Sequence, residues 1–375
     1  MKFIGDFHIH SKYARATSPD MVPENLDIWA AKKGIKVLGT GDFTHPVWFA
    51  DLKSKLTEQE PGLYALRGSD SGTRFVFSSE ISCIYSKKGK VRRIHLLLLV
   101  PSLQAAEHIN ARLGVRGNLK SDGRPILGID ATEVLKIALD ASPESLVIPA
   151  HAWTPWFSVF GSKSGFDSLE ECFDEYAKHI HAIETGLSSD PAMNWRLSAL
   201  DKIALLSNSD CHSVAKMGRE ANVFEAELSY MGIRDAIVTK DPKKFLSTIE
   251  FFPEEGKYHY DGHRLCNIRL APAESRKKNN ICPACGRELT IGVLNRVEEL
   301  VDRPEGFVPP NAIPFKSLIP LQEIIAEALH IGVAAKQPKA EYEKLISAFG
   351  NEFAVLIDVQ ARELQAATLP EIAQA

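Results

Sequence analysis

The sequence predicts an α/β fold whose strands end at a metal-binding rim, and three observations lead there. Short apolar runs alternate with amphipathic stretches from residue 1 to about 240, a pattern of parallel strands joined by helices. The chain carries two ligand pairs spaced by two, His8-Ile9-His10 and Asp210-Cys211-His212. On an extended strand residues i and i+2 point the same way, so each pair can aim two donors at one spot. Between the pairs lie Asp42, His45, Glu80, His95 and His151, several at the ends of apolar runs. Ligands at the C-terminal ends of many strands favour a barrel, whose site is built on that rim, over an open sheet, which would gather them near its switch point.

The elements follow in order. Strands are expected over Lys2–Phe7, Ile35–Thr40, Arg74–Tyr85, Ile94–Val100, Ser145–Ala150, His181–Glu184 and Ile203–Ser207. A helix starts near Pro23, is apolar at Leu26, Ala30 and Ala31, and stops at Gly34, a suitable C-terminal cap. Further helices are expected over Ala131–Asp140, Ser168–Ala177 and Pro191–Leu200. Residues 1–250 thus form a catalytic domain. Residues 251–305 read as a small metal-binding module, polar and cysteine-containing. Residues 306–375 open on a proline-bearing connector and continue as helices, with Gly332 and Gly350 at two helix ends and Glu352–Gln365 as a third helix.

Bulk properties narrow the function. The chain has 375 residues, 45% hydrophobic and 25% charged, with a net charge of −4, so any nucleic-acid face must be local. The N-terminus reads straight into a strand without signal-peptide features, and no apolar run has membrane-spanning length. A cytoplasmic protein with no membrane partner is expected. The six cysteines suit a reducing compartment: Cys83, Cys172 and Cys211 are scattered, whereas Cys266, Cys282 and Cys285 cluster.

Histidine with carboxylate favours Zn, Mn or Fe over cations that prefer all-oxygen shells. A polynuclear site of this kind lowers the pKa of water from ~16 to roughly 7 and polarises a phosphoryl oxygen. A second site is spelled by His263-x2-Cys266-x15-Cys282-x2-Cys285, the spacing of a zinc ribbon with one His, for which His259 is the alternative to His263. A closed four-ligand site is structural and holds one Zn. Arg276, Lys277 and Lys278, with Arg264, Arg269 and Arg287 nearby, read either as a solvated face or as phosphate contacts. After His151 comes an aromatic loop, Trp153-Thr154-Pro155-Trp156-Phe157 through Lys163 to Phe166. It either packs itself down or presents Trp153, Trp156 and Phe157 to nucleobases, with Lys163 near phosphate.

His8-Ile9-His10, Gly41-Asp42-Phe43-Thr44-His45, Ser79-Glu80, His95, Pro149-Ala150-His151 and Ser209-Asp210-Cys211-His212 resemble the successive motifs of the PHP (polymerase and histidinol phosphatase) superfamily. The resemblance implies a distorted (β/α)7 barrel holding two or three divalent ions (Zn, Mn, Mg or Fe). It implies His8, His10, Glu80, His151, Asp210 and His212 as ligands, Glu80 bridging and His95 completing a second position. The set His8, His10, Glu80, His151 and Asp210 would carry the catalysis. Two departures stand out: Tyr13-Ala14-Arg15 where a further His is customary, and a stretched second motif in which either Asp42 or His45 is the ligand.

Longer segments resemble one family within that superfamily, endonuclease Q: Gly39 to Pro46, His151 to Trp156, Gly161 to Ser168, Met193 to Arg196, Ser207 to Asp210, the cysteine module with Leu289 to Leu294, and the tail around Gly350 to Phe353. That resemblance implies a metal-dependent endonuclease acting on double- or single-stranded DNA. It would incise 5′ of uracil, hypoxanthine, xanthine or an abasic site. The tail Leu369 to Ala375 shows no clamp-binding aromatic pair, so a sliding-clamp partner is not expected. The rival reading, a histidinol-phosphate-like small-molecule phosphatase, accounts for the first domain and gives residues 255–375 no role. A non-catalytic scaffold leaves the ligand set unexplained.

Overall fold

The computed structural model describes residues 1–375. Its strands are β1 (Lys2–Asp6), β2 (Val37–Gly39), β3 (Leu56–Glu60), β4 (Leu63–Leu66), β5 (Arg74–Lys87), β6 (Lys90–Val100), β7 (Ile126–Leu127) and β8 (Leu146–Pro149), then β9 (Ala182–Glu184), β10 (Ala204–Leu206), β11 (Ala221–Glu225), β12 (Phe245–Glu250), β13 (Asp261–His263), β14 (Ile268–Leu270) and β15 (Phe315–Ser317). No helix is long and apolar enough to cross a membrane.

The main sheet is mixed. β1 pairs parallel with β2, and β2 with β5, whereas β11 runs antiparallel to β1 and β6 antiparallel to both β5 and β8. The reversal at β6 has a local cause. Lys88 and Gly89 both take positive φ, 52° and 74°, the two-residue turn that makes a tight hairpin. Alternation of strand and helix therefore does not hold here, and the long β5–β6 hairpin carries Glu80 and His95 within its strands rather than at their ends.

The expected closed barrel is not formed by a continuous ladder. β9 and β10 make a separate parallel pair, no ladder joins β8 to β9, and only the isolated bridge Ile9–Cys211 reaches from beyond β10 to beyond β1. Side chains span these gaps, beside one backbone bond from the Ala152 N–H to the Glu184 carbonyl (3.0 Å). The Glu184 carboxylate accepts from the His151 N–H (3.0 Å). Asn222 accepts from the Ser207 N–H (3.0 Å) and donates to its carbonyl (2.7 Å). Residues from β1, β2, β5, β6, β8, β9 and β10, among them Phe3, Val37, Val76, Leu97, Ile148, Ala182 and Leu206, still share one interior cluster.

The first helix runs Pro23–Lys33 and ends on Gly34 at φ 87°, as its residues predict. The helix expected over Ser168–Ala177 breaks in two, because Asp174 takes φ 52° between Leu169–Phe173 and a 3-10 turn. The helix expected over Pro191–Leu200 likewise shortens to Pro191–Asn194 and a 3-10 turn at Ser198–Leu200.

The C-terminal third differs more. β15, between the expected connector and the helices that follow it, adds to the sheet edge parallel to β12. The helix Val293–Leu300 packs Val293 and Val297 into the large core. The tail helix Leu321–Ala328 ends before Gly332, with His330 rather than a glycine at φ 54°. Gly350, at φ 91°, does close Lys336–Phe349. The single helix expected over Glu352–Gln365 is replaced by a π-helical turn at Ala354–Asp358 and separate helices Ala361–Ala367 and Pro370–Gln374. The restart lies at Gln360, whose N–H donates to Glu363 (3.0 Å).

A buried ion pair ties this tail to the first helix. Lys33 Nζ lies 2.6 Å from Glu352 Oε2, with side chains 2% and 5% exposed. Glu352 also accepts from the Leu321 N–H (3.1 Å) and the Tyr342 hydroxyl (2.9 Å). Removing one partner strands the other charge, which costs about 3 kcal/mol or more. Glu352→Ala is expected to lower the melting temperature and to expose the chain near residue 320 to limited proteolysis.

A second buried feature sets a pH dependence. Glu220, before β11, has no hydrogen-bond partner for either oxygen. Burial, reinforced by Glu250, pushes its pKa well above the usual range. Burial lifts Glu250 to about 7 against hydrogen bonds from Thr248, Thr185 and Ser207. Acids raised in this way hold protons that the unfolded chain sheds. Their stabilising contribution is complete below the unfolded pKa of about 4.3 and is lost as pH rises through the folded values. Glu220→Gln is expected to raise the melting temperature at about pH 8 by about 2 °C or more and to flatten its fall between about pH 5 and 8, read by calorimetry.

Candidate metal centre

Two donor clusters meet at one carboxylate. Donor atoms of His8, His10, Glu80 and Asp210 lie within 4.8 Å of one another, as do those of Glu80, His95 and His151. His8 and His10 extend β1, and the His10 N–H bonds the Cys211 carbonyl (3.1 Å), bringing the two spaced pairs side by side. Asp210 and His151 reach the rim from residues at φ 44° and 31°. Such backbone is strained for side chains other than glycine and gathers at functional sites.

The orientation of each imidazole is fixed from behind. His8 Nδ1 is 3.0 Å from Glu184, and His10 Nδ1 is 3.0 Å from Asp42. That leaves both Nε2 atoms, with Asp210 Oδ1, buried and without a hydrogen-bond partner. His10 Nε2 is 3.1 Å from Asp210 Oδ1 and 3.3 Å from Glu80 Oε2, and His8 Nε2 is 3.6 Å from Glu80 Oε2. The other Glu80 oxygen, Oε1, faces His95 Nδ1 (2.7 Å) and His151 Nε2 (3.1 Å). Those two ring nitrogens stand 3.2 Å apart, while Ser82 holds His95 from behind (3.1 Å). Orphaned nitrogens converging on carboxylate oxygens, each ring anchored through its far nitrogen, suit divalent ions.

Electrostatics agree with that donor set. Burial opposes protonation of His8 and His10, but the surrounding carboxylates outweigh it and raise both pKa values well above the ordinary one. Burial likewise opposes ionisation of Glu80, and His95, Arg124 and His8 overcome it. Burial drops His95 to about 4 despite Glu80.

Three expected residues stand outside these clusters. Asp42, at φ 48°, turns its oxygens onto His10 Nδ1, the Ser11 N–H (2.6 Å) and the Ser11 hydroxyl (2.7 Å), so it orients the His10 ring. His45 caps the helix Pro46–Lys55, accepting from Trp48 N–H (3.4 Å), and stacks on Tyr13 at 4.4 Å. Neither Asp42 nor His45 is among the clustered donors. His212 adjoins the first cluster, its ring 4.5 Å from that of His10, but its Nδ1 turns to the Asp210 carbonyl (3.0 Å). Two residues that the spacing did not indicate are part of the site. Glu184 links His8, His151 N–H and Asn208 (2.9 Å). Arg124 donates to Glu80 Oε2 (3.0 Å). Both belong to no spaced pair; Glu184 simply ends a predicted strand.

The aromatic loop divides. Trp153 is buried and donates to Asn194 Oδ1 (2.7 Å), and Phe160 and Phe166 are buried with it, so these pack the loop down rather than face a ligand. Phe157 lies on His95 at 4.6 Å. Trp156 is 37% exposed and meets Tyr258 edge-on at 6.1 Å. Trp156, Lys257 and Tyr258 separate two cavities. One, of about 510 Å³, reaches His95, Arg124, His151, Phe157 and Asp210. The other, of about 390 Å³, reaches Tyr260, His263, Arg264 and Arg269. Lys163 is half-exposed, 3.9 Å from Glu288.

In the small module His263, Cys266, Cys282 and Cys285 converge, with His263 Nδ1 3.5 Å from Cys285 Sγ. His259 instead bonds the Ser188 carbonyl (3.0 Å) and is not among these donors. Lys277 and Lys278 are exposed, whereas Arg276 is engaged by Asn295 and Glu298.

Residues 320–375 match the MJ0043 C-terminal domain family. The uncharacterized protein MJ0043 of Methanocaldococcus jannaschii is 36% identical over 221 residues, 57% of this chain, and the match spans only 27% of that relative's length. The uncharacterized protein YqxK of Bacillus subtilis is 30% identical over 354 residues, covering 91% of this chain and 83% of YqxK. The lesion-specific endonuclease PfuEndoQ of Pyrococcus furiosus superposes with a TM-score of 0.87 at 31% identity, over 100% of this chain and 89% of its own. Endonuclease Q in complex with a 27-mer duplex bearing an abasic lesion at the active site superposes with a TM-score of 0.89 at 31% identity, over 100% and 90%. A likeness of that identity running the full length of the chain, with the rim geometry described above, means that the chain belongs to the endonuclease Q family.

Proposed function

We propose that this protein is a metal-dependent endonuclease of DNA repair, cutting the phosphodiester 5′ of an abasic site or of uracil, hypoxanthine or xanthine. The observation that carries the reading is the pair of donor clusters sharing Glu80 at the floor of a cavity walled by Trp156, Phe157 and Tyr258. His8, His10, Glu80 and Asp210 would hold one divalent ion, and Glu80, His95 and His151 a second, of Zn, Mn, Mg or Fe. His212 stands beside the first. Such ions supply a Lewis acid for the phosphoryl group and make water nucleophilic at neutral pH. The chain's own part is positioning. Glu184 and Asp42 lock the His8 and His10 tautomers, and Trp156 with Phe157 offers faces for an unstacked nucleotide. In the reaction the oxygen of water joins phosphorus as the water gives up a proton, the P–O3′ bond breaks, and the departing 3′-oxygen takes up a proton.

Residues 1–250 would provide the chemistry, with 251–305 and 306–375 gripping the duplex. Lys277 and Lys278 are free to meet phosphates and Lys163 would leave Glu288 to do so, while Arg276 is already engaged within the module. A small-molecule phosphatase fits less well, because the cavity over the metal centre is completed by Lys257 and Tyr258 from the cysteine-bearing segment.

Incision of a labelled duplex with one abasic site or uracil, in Mn or Mg, tests the reading. Asp210→Asn is expected to lower the rate by about 100-fold or more while duplex binding persists. Full activity of the variant, or phosphate release from small monoesters without incision, would overturn it. At the second site, burial opposes ionisation of Cys282, yet the backbone N–H groups of Ala284 and Cys285 favour its thiolate. Cys282→Ser is expected to remove one zinc per chain by metal analysis and to lower the melting temperature by several degrees, at roughly 2 °C per kcal/mol lost.

A further inference from the structure

We propose that Arg124 is a catalytic residue of this reaction, gripping a non-bridging oxygen of the phosphate that is cut; the proposal rests on the nuclease reading above. The chain is built to deliver this one side chain. Arg124 lies between the helix Leu103–Gly114 and β7, and the segment is pinned on both sides of it: the Gly123 N–H bonds the Tyr13 carbonyl (3.0 Å), and the Pro125 carbonyl accepts from Ser82 N–H (3.0 Å). A Cβ at Gly123 would fall 2.3 Å from Asp42 Oδ2 and 2.8 Å from the Ala14 nitrogen, so only glycine passes there. Asp122 accepts from the Arg124 N–H (3.1 Å).

The guanidinium then makes one side-chain hydrogen bond, Nη1 to Glu80 Oε2 at 3.0 Å. A guanidinium has five N–H donors in a planar fork, so this bond leaves most of them unspent. The side chain is 26% exposed and lines the 510 Å³ cavity with His95, His151 and Asp210. A purely structural arginine at this depth would spend its fork on protein acceptors. This one holds a fixed positive charge over the donor clusters, with donors in hand. Hydrolysis shifts negative charge onto the non-bridging oxygens as the water oxygen joins phosphorus and the P–O3′ bond breaks. A planar cation fixed beside those oxygens stabilises that distribution without reorganising.

The test uses the full chain with Mn and an abasic duplex. Arg124→Ala is expected to lower kcat by about 100-fold or more with KM changed by less than about 3-fold. Added guanidinium ion should restore at least about 10-fold of the lost rate without accelerating the parent. Binding gives an independent readout. In an Asp210→Asn background, removing Arg124 should reduce the salt slope of duplex binding by about 1. An Arg124→Ala rate within about 3-fold of the parent overturns the proposal. So does a lost rate that guanidinium cannot restore together with an unchanged salt slope, which would make Arg124 a strut for Glu80. Failure of the parent itself to cut any damaged duplex would be seen in its own lane; that refutes the nuclease reading, and this proposal falls with it.

Discussion

The rim of this fold is organised by a single buried carboxylate. Glu80 is 1% exposed, and its two oxygens face in different directions: Oε2 toward His8, His10 and Arg124, Oε1 toward His95 and His151. An isolated carboxylate at that depth would protonate, since burial alone costs several kcal/mol. It stays ionised because imidazoles and a guanidinium surround it. Those groups in turn are held by Glu184, Asp42 and Ser82, which lie one layer further out. Each layer is satisfied only if the next is in place, so the site and the surrounding fold specify each other.

What was legible in the sequence follows from strand geometry. His8-Ile9-His10 and Asp210-Cys211-His212 announce themselves because alternation on an extended chain is rigid, and the Ile9–Cys211 bridge sets the two pairs together. The same rule fails where the backbone leaves the strand. Asp42 sits at φ 48° in a turn, and His45 has become a helix cap, so residues that look like a third motif serve as a clamp on His10 and a helix end. His212 follows Asp210 at φ 44°, and that turn swings its ring out of the cluster while Asp210 stays in. Glu184 and Arg124 were invisible for the opposite reason. Each reaches the centre from a segment with no spaced partner, and only the tertiary structure brings it there.

The fold was legible to a similar depth. Apolar runs locate the strands that feed the inner cluster, but not their direction. The hairpin at Lys88-Gly89 reverses β6, and that reversal decides whether neighbouring strands pair parallel or not. Nor does hydrophobic pattern reveal that the ladder opens beside β9. In the tail, Gly350 ends a helix as expected, whereas the break at Val359 reflects a π-helical turn that packs Val355 into the tail's own cluster. A π turn of five residues is too short to show a period in the sequence.

The opening beside β9 also explains why Glu184 has two duties. With no backbone ladder to hold β8 against β9, the Glu184 carboxylate accepts the His151 N–H, and with the same group it holds His8. His151 belongs to one donor cluster and His8 to the other, so a single side chain spanning the gap fixes the spacing of both. The carboxylate that bridges the interruption in the sheet thus also stands behind His8. That anion, with Asp42 on the other flank, keeps two imidazoles aimed at a point where no hydrogen-bond partner waits for them.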